Sequence, residues 1–220
     1  MTHKNKYVSV QETRAQVTRE KLLSSAIKLV NQHGMKYLTV RNICDEAGLS
    51  TGSFYNLFSG KDELIAYYLK HSFYRFKLQA EESEAGHNAI EKTMIVYRFY
   101  IDCCKEVGLE FVSGLYSANL NPFFDFLHRE SEDDLILDVV RSYLEEGKEE
   151  GIIKQDLDVD EALLRIASTV TGLLFYWCTF KGKFNIKYQV DSMLEVYLRS
   201  IAIDSNIEIN LEPLAPGCFE

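Results

Sequence analysis

Apolar residues recur every three or four positions along most of this chain, and Gly, Ser, Thr and Asn cut the pattern again and again. Leu22, Leu23, Ala26, Ile27 and Val30 share one face and predict a helix that Thr18 caps and Gly34 stops. Before it, residues 1–17 form a polar stretch with Lys4, Lys6 and Arg14, read as a flexible arm. Thr39 caps a second helix, with Val40, Ile43 and Ala47 on its inner face, and Gly48 ends it. Ser50 caps a third almost at once. Ser59 caps a fourth, with Asp62 at N3, that runs to about residue 79.

The stretch "EESEAG", residues 81–86, is the expected break between halves. Asn88 with Glu91 three residues on opens a helix through Val107, a capping-box spacing. Residues 109–128 are apolar and interrupted at Asn121-Pro122, which implies two short helices. Further helices are expected from about Asp133 to Glu150, Asp160 to Phe180 and Tyr188 to Ile203. The tail "SNIEINLEPLAPGCFE" alternates briefly between apolar and polar residues, then holds two prolines, and reads as extended or disordered.

The fold class is all-α. A three-helix unit over 18–64 follows the arm, a fourth helix from 61 links onward, a larger helical region fills 65–203, and the tail is 204–220. Composition agrees: 46% hydrophobic and 26% charged is globular, and three prolines among 220 residues suit helices. The start lacks the apolar run of a signal peptide. The longest uncharged run, fifteen residues between Arg165 and Lys181, makes about 22 Å of helix against roughly 30 Å of hydrocarbon. A soluble, cytoplasmic protein is expected. Five cysteines without C-x-x-C spacing argue against a disulfide framework; the vicinal Cys103–Cys104 fits either two buried small residues or a redox pair.

Charge divides the chain. Residues 1–77 hold twelve Lys and Arg against six Asp and Glu, a net +6, whereas 78–220 carry −15. A basic module that meets a polyanion, joined to an acidic one, fits this split. The stretch "STGSFYN", residues 50–56, sharpens it. With Phe54 at zero on a helical wheel, Leu57 and Phe58 share its buried face, and Gly52 and Asn56 point away, flanked by Ser53 and Tyr55. Small residues let a helix sink into a major groove, where amides and hydroxyls bond to base edges and phosphates. Two helices joined by a tight turn, the second polar outward, describe a helix-turn-helix. Thr39 and Ser50 would cap helices in any case, so by themselves they speak for helix starts.

The run "TREKLLSSAIKLVNQHGMKYLTVRNICDEAGLSTGSFYNLFSGKDEL" resembles the N-terminal domain of the tetracycline-repressor (TetR) family over roughly residues 18–70. Ala26, Gly34, Thr39-Val40, Ile43, Ala47-Gly48-Leu49-Ser50, Gly52, Phe54-Tyr55, Phe58, Lys61-Asp62 and Leu64 carry the match. Cys44 stands in place of the usual Ala, and Leu57 where His or Tyr is common. The resemblance implies that Thr39 and Tyr55 meet phosphate, that Lys61 adds its charge to a helix N-terminus there, and that Arg41 reaches a base edge. With the outward face of the third helix, the DNA-contact set is Thr39, Arg41, Ser50, Thr51, Gly52, Ser53, Tyr55, Asn56 and Lys61.

Past residue 70 the resemblance implies a ligand-sensing and dimerising domain. Its dimer bundle falls on the helices at 160–180 and 188–203, where Ala167, Thr169 and Gly172 permit close approach. Aromatics crowd residues 88–128 and suit a cavity. Arg98, Tyr100, Tyr116, Asn119, His128 and Phe175 are the candidates to line it for a small-molecule effector. The expected function is a homodimeric repressor on a palindromic operator, released by that effector. The same fold also suits an activator, or an architectural or cell-division DNA binder. No G-x-S-x-G, H-E-x-x-H, G-x-G-x-x-G or P-loop spacing is present, and the five histidines are dispersed, so no enzyme, cofactor or metal site is expected.

Overall fold

A computed structural model of the protein describes residues 3–65, 67–68, 85–115 and 135–217, and these are helical with no strand among them. The chain divides into two compact units. The first is built on α1 (His3–His33), a 3-10 turn (Met35–Tyr37), α2 (Val40–Ala47), α3 (Thr51–Tyr55) and the start of α4, described over 61–65 and 67–68. Leu22, Ala26 and Val30 of α1 bury against Ile43, Cys44 and Ala47 of α2 and Phe54 of α3, so one apolar stripe per helix builds the core.

Several boundaries differ from expectation. α1 begins at His3, so residues 3–17 are helix and not an arm. Thr18 is no cap; its hydroxyl donates to the Arg14 carbonyl one turn back, inside the helix. Ser59 does not cap α4. The helix opens on the Gly60 carbonyl, and Glu63 rather than Asp62 reaches back to the Ser59 N–H at 2.6 Å. Residues 110–115 of α6 (Leu109–Leu115) belong with the first unit. Phe111 packs edge-on to Tyr68 of α4, and Gly114 lies under Met35 so tightly that an added Cβ would sit 2.0 Å from its Cγ.

The second unit holds α5 (Ala89–Val107), α7 (Leu135–Glu149), α8 (Val159–Thr179) and α9 (Ile186–Ile201). Asn88 caps α5 and Glu91 closes the capping box, as the spacing predicts. The caps of α8 and α9 are Asp158 and Asn185, two or three residues earlier than expected. α5 and α9 run antiparallel, tied by Arg98 to Asp191 at 2.6 and 2.8 Å and by Lys187 to Asp102 at 2.5 Å. Lys92 joins α5 to Glu146 of α7 at 2.5 Å. By length and composition α8 could cross a bilayer; here one face packs in the core through Leu163, Ile166, Val170 and Leu174.

Candidate nucleic-acid interface

The interface is a matter of capping. Thr39, in extended conformation, accepts the Asn42 N–H on its side chain and starts α2. Gly48 turns the chain with φ 62°, a left-handed conformation that favours glycine, and α3 starts two residues on. Ser50 caps α3 by accepting the Ser53 N–H at 3.1 Å, and the two serine hydroxyls share a 2.9 Å hydrogen bond. Phe54 is 0% exposed and packs against Phe58, whose ring lies 5.5 Å from Tyr67. Buried Phe54 therefore fixes which way α3 faces.

Thr51, Gly52, Tyr55 and Asn56 then point into solvent, with Tyr55 59% exposed. Asn56 is the C-terminal cap residue of α3 rather than part of its interior. Gly52 carries information of its own. Glycine costs a helix roughly 1 kcal/mol relative to alanine, yet a Cβ built there meets only Ser50 Oγ at 3.7 Å. Among the described residues nothing else packs against the position a Cβ would take, so Gly52 leaves an open, shallow spot on the outward face of α3. Lys61, in the first turn of α4, is half-buried and makes no ion pair with a carboxylate among the described residues. Arg41 is 87% exposed and 3.8 Å from Asp45, a contact that surface solvation makes worth little. The face thus offers hydroxyls, an amide, a gap for close approach and two available cations.

Three neighbours, Tyr37, Lys36 and His33, escaped sequence reasoning. Tyr37, two residues before Thr39, is half exposed, with the Lys36 ammonium 5.5 Å from its ring centroid and His33 at 5.1 Å. Their signal, an aromatic beside bases in a turn, is too common to find by motif.

The proposed effector residues fare differently. Tyr116, Asn119 and His128 lie outside the described residues. Arg98 donates to the Asp191 carboxylate and to the Glu212 carbonyl, so its guanidinium already has partners within its own unit. Phe175 of α8 is half exposed and edge-on to Tyr176. Tyr100 is half-buried beside Tyr97, 6.3 Å between ring centroids. Cys103 and Cys104 are buried thiols; burial, then the neighbouring Cys103, pushes the Cys104 thiol far up, which suits a packing role better than a redox one.

Residues 22–68 match the family of bacterial regulatory proteins called tetR. The chain is similar to the HTH-type transcriptional repressor KstR2 of Mycolicibacterium smegmatis, 26% identical over 83% of this chain and 90% of that one. It is also similar to the fatty acid metabolism regulator protein of Bacillus subtilis, 22% identical over 82% and 93%. Its fold is that of the regulator FadR from Bacillus subtilis in complex with stearoyl-CoA, with a TM-score of 0.68, 21% identity, and coverage of 83% and 98%. With the helix-turn-helix placed by its caps and the match running through it, residues 22–68 are a DNA-binding domain of the bacterial tetR regulatory family, and the chain that carries it is a DNA-binding transcriptional regulator.

Proposed function

We propose that this regulator is a homodimeric repressor that grips a palindromic operator through two α3 helices and lets go on binding a long-chain acyl thioester. The observation that carries the DNA half is the uncharged outward face of α3 with the open space over Gly52. Thr39, Tyr55 and Lys61 hold phosphates, Ser50, Thr51 and Ser53 line the entry to the groove, and Arg41 and Asn56 read base edges.

Dimerisation rests on α8 and α9. Leu164, Phe175, Tyr176 and Phe180 of α8 and Met193 and Val196 of α9 are each about half exposed or more. So many large apolar side chains left open on two neighbouring helices suit a face that a partner covers. Gly172 stands among them with open space where a Cβ would go, which suits close approach of a second copy. The effector class comes from relatives, FadR proteins bound to stearoyl-CoA and to lauroyl-CoA. In this chain, Lys181 and Lys183 flank Gly182, which lies against Leu109, and Lys105 sits in the last turn of α5 just before Leu109; none of the three pairs with a carboxylate among the described residues, and they offer positive charge to an anionic head in an otherwise acidic unit.

Fluorescence anisotropy with the DNA upstream of the protein's own gene tests both halves. Specific binding that stearoyl-CoA reverses and that stearate or coenzyme A alone does not is the expected result. Operator retention at saturating stearoyl-CoA overturns the effector class while leaving the DNA reading standing.

A further inference from the structure

Residues 204–217 lie extended along the antiparallel pair α5 and α9, and their attachment is unusual. None of residues 203–217 is buried, and half-buried Ile207, Ile209 and Leu211 alternate with exposed Glu208, Asn210 and Glu212. Four side chains of the helices hold the segment by its main chain. Arg199 donates to the Ser205 and Ile207 carbonyls at 3.3 and 2.6 Å. The Glu91 carboxylate accepts the Asn210 N–H at 2.5 Å, Arg98 donates to the Glu212 carbonyl at 3.0 Å, and Asn185 Nδ2 donates to the Ala215 carbonyl at 2.9 Å.

All four have a second duty in the helix pair, Arg199 as the partner of Glu195 one turn back in α9. Glu91 closes the capping box of α5, Asn185 caps α9 through its Oδ1, and Arg98 makes the bidentate pair with Asp191. Glu91 and Arg98 sit on α5, Asn185 and Arg199 on or at α9. The segment therefore spans both helices, and sliding one along the other breaks its bonds. The ion pairs resist the same motion. A slide of one turn breaks both pairs, setting Arg98 against Lys187 in one direction and Asp102 against Asp191 in the other, where Arg98 against Glu195 offsets part of the cost.

We propose that residues 204–217 are a clasp that locks α9 on α5 in one register, and that clasp docking and dimerisation through α8 and α9 stabilise each other. The second half rests on the dimer reading above. α9 joins the two, because it carries Asp191 and Arg199 toward the clasp and Met193 and Val196 outward. Any state in which α9 shifts must release the clasp first, and release costs the dimer its ordered face.

Two substitutions in the full chain loosen the clasp without removing a helix cap. Asn185→Asp keeps the capping oxygen and removes the donor to Ala215. Asn210→Pro removes the N–H that Glu91 accepts, in a segment already extended, and Asn210→Ala, which keeps that N–H, is its control. Limited proteolysis of the segment, hydrogen exchange over α9 by mass spectrometry and sedimentation equilibrium are the readouts. In the double variant, cleavage within 204–217 should speed up at least about tenfold, the scale of one charge-assisted bond. Exchange over α9 should rise with it, and the dimer dissociation constant should weaken several-fold, while Asn210→Ala behaves as the parent. A freed tail with unchanged α9 exchange overturns the lock, and so does an Asn210→Ala variant as loose as Asn210→Pro. Faster α9 exchange with an unchanged dimer constant overturns the coupling. A parent protein that sediments as a monomer overturns the coupling and the dimer reading together, and α9 exchange then still decides the lock.

Discussion

Replacing Gly52 by alanine separates what the fold needs from what DNA needs. The new methyl group meets only Ser50 Oγ at 3.7 Å, an ordinary contact, so it introduces no clash within the chain. Alanine is favoured over glycine in a helix by roughly 0.8–1 kcal/mol, and the short α3 should realise about half of that or more. For a chain of this size a gain near 0.5–1 kcal/mol raises Tm by about 1–4 °C. In the complex the same methyl occupies the surface that approaches the groove, and lifting α3 loosens every base contact it makes. The loss should be tenfold or more in specific affinity, about 1.4 kcal/mol. Calorimetry and anisotropy on one preparation give both numbers. A variant that melts lower shows that Gly52 serves the fold, and a more stable variant with unchanged operator affinity shows that α3 does not come close to DNA at this position. Either result defeats the reasoning.

Lys61→Ala should weaken specific and non-specific DNA alike and reduce the slope of log K against log salt by about one per half-site; an unchanged slope removes Lys61 from the phosphate contacts. Arg41→Ala and Asn56→Ala should each cost about 1–3 kcal/mol on the operator and relax one position, a G·C pair for Arg41 and an A·T pair for Asn56. Selection from a randomised half-site checks this, and uniform loss at all positions would assign both residues to the backbone. Glu91 sets an acid limb. Burial pushes its carboxyl up, but the N–H groups of Asn210 and Asn88 and the His87 ring outweigh this and hold it below the ordinary carboxylate value. With a depressed native value, its contribution is complete above the unfolded value of about 4.3 and disappears as pH falls through the native one. Glu91→Gln should therefore melt below the parent at neutral pH and converge with it in acid; parallel curves would show that the carboxylate contributes nothing specific.

What the sequence made legible follows from the range of the interactions. The caps at Thr39, Ser50 and Asn88 were readable because a cap and the N–H it accepts lie within three residues. Phe54 set the direction of α3 through the same local period. Residues 3–17 escaped because a helix polar all round shows no periodicity, and nothing in "KNKYVSVQETRAQV" breaks one. The starts of α8 and α9 were set late because Asp158 and Asn185 precede the apolar repeat instead of joining it. The tail's alternation was visible, but Glu91, Arg98 and Asn185, which hold it, are distant in sequence. Gly114 under Met35 is non-local in the same way, and no pattern in either segment announces the other.

Hydroxyl-radical footprinting of the protein on the DNA upstream of its own gene tests the central claim most directly. A dimer reading with two α3 helices should protect two symmetry-related blocks whose centres lie about one helical turn, 34–36 Å, or a multiple apart, and Gly52→Ala should erase both blocks together. Protection without symmetry, or spread evenly along the duplex and unaffected by Gly52→Ala, would contradict it.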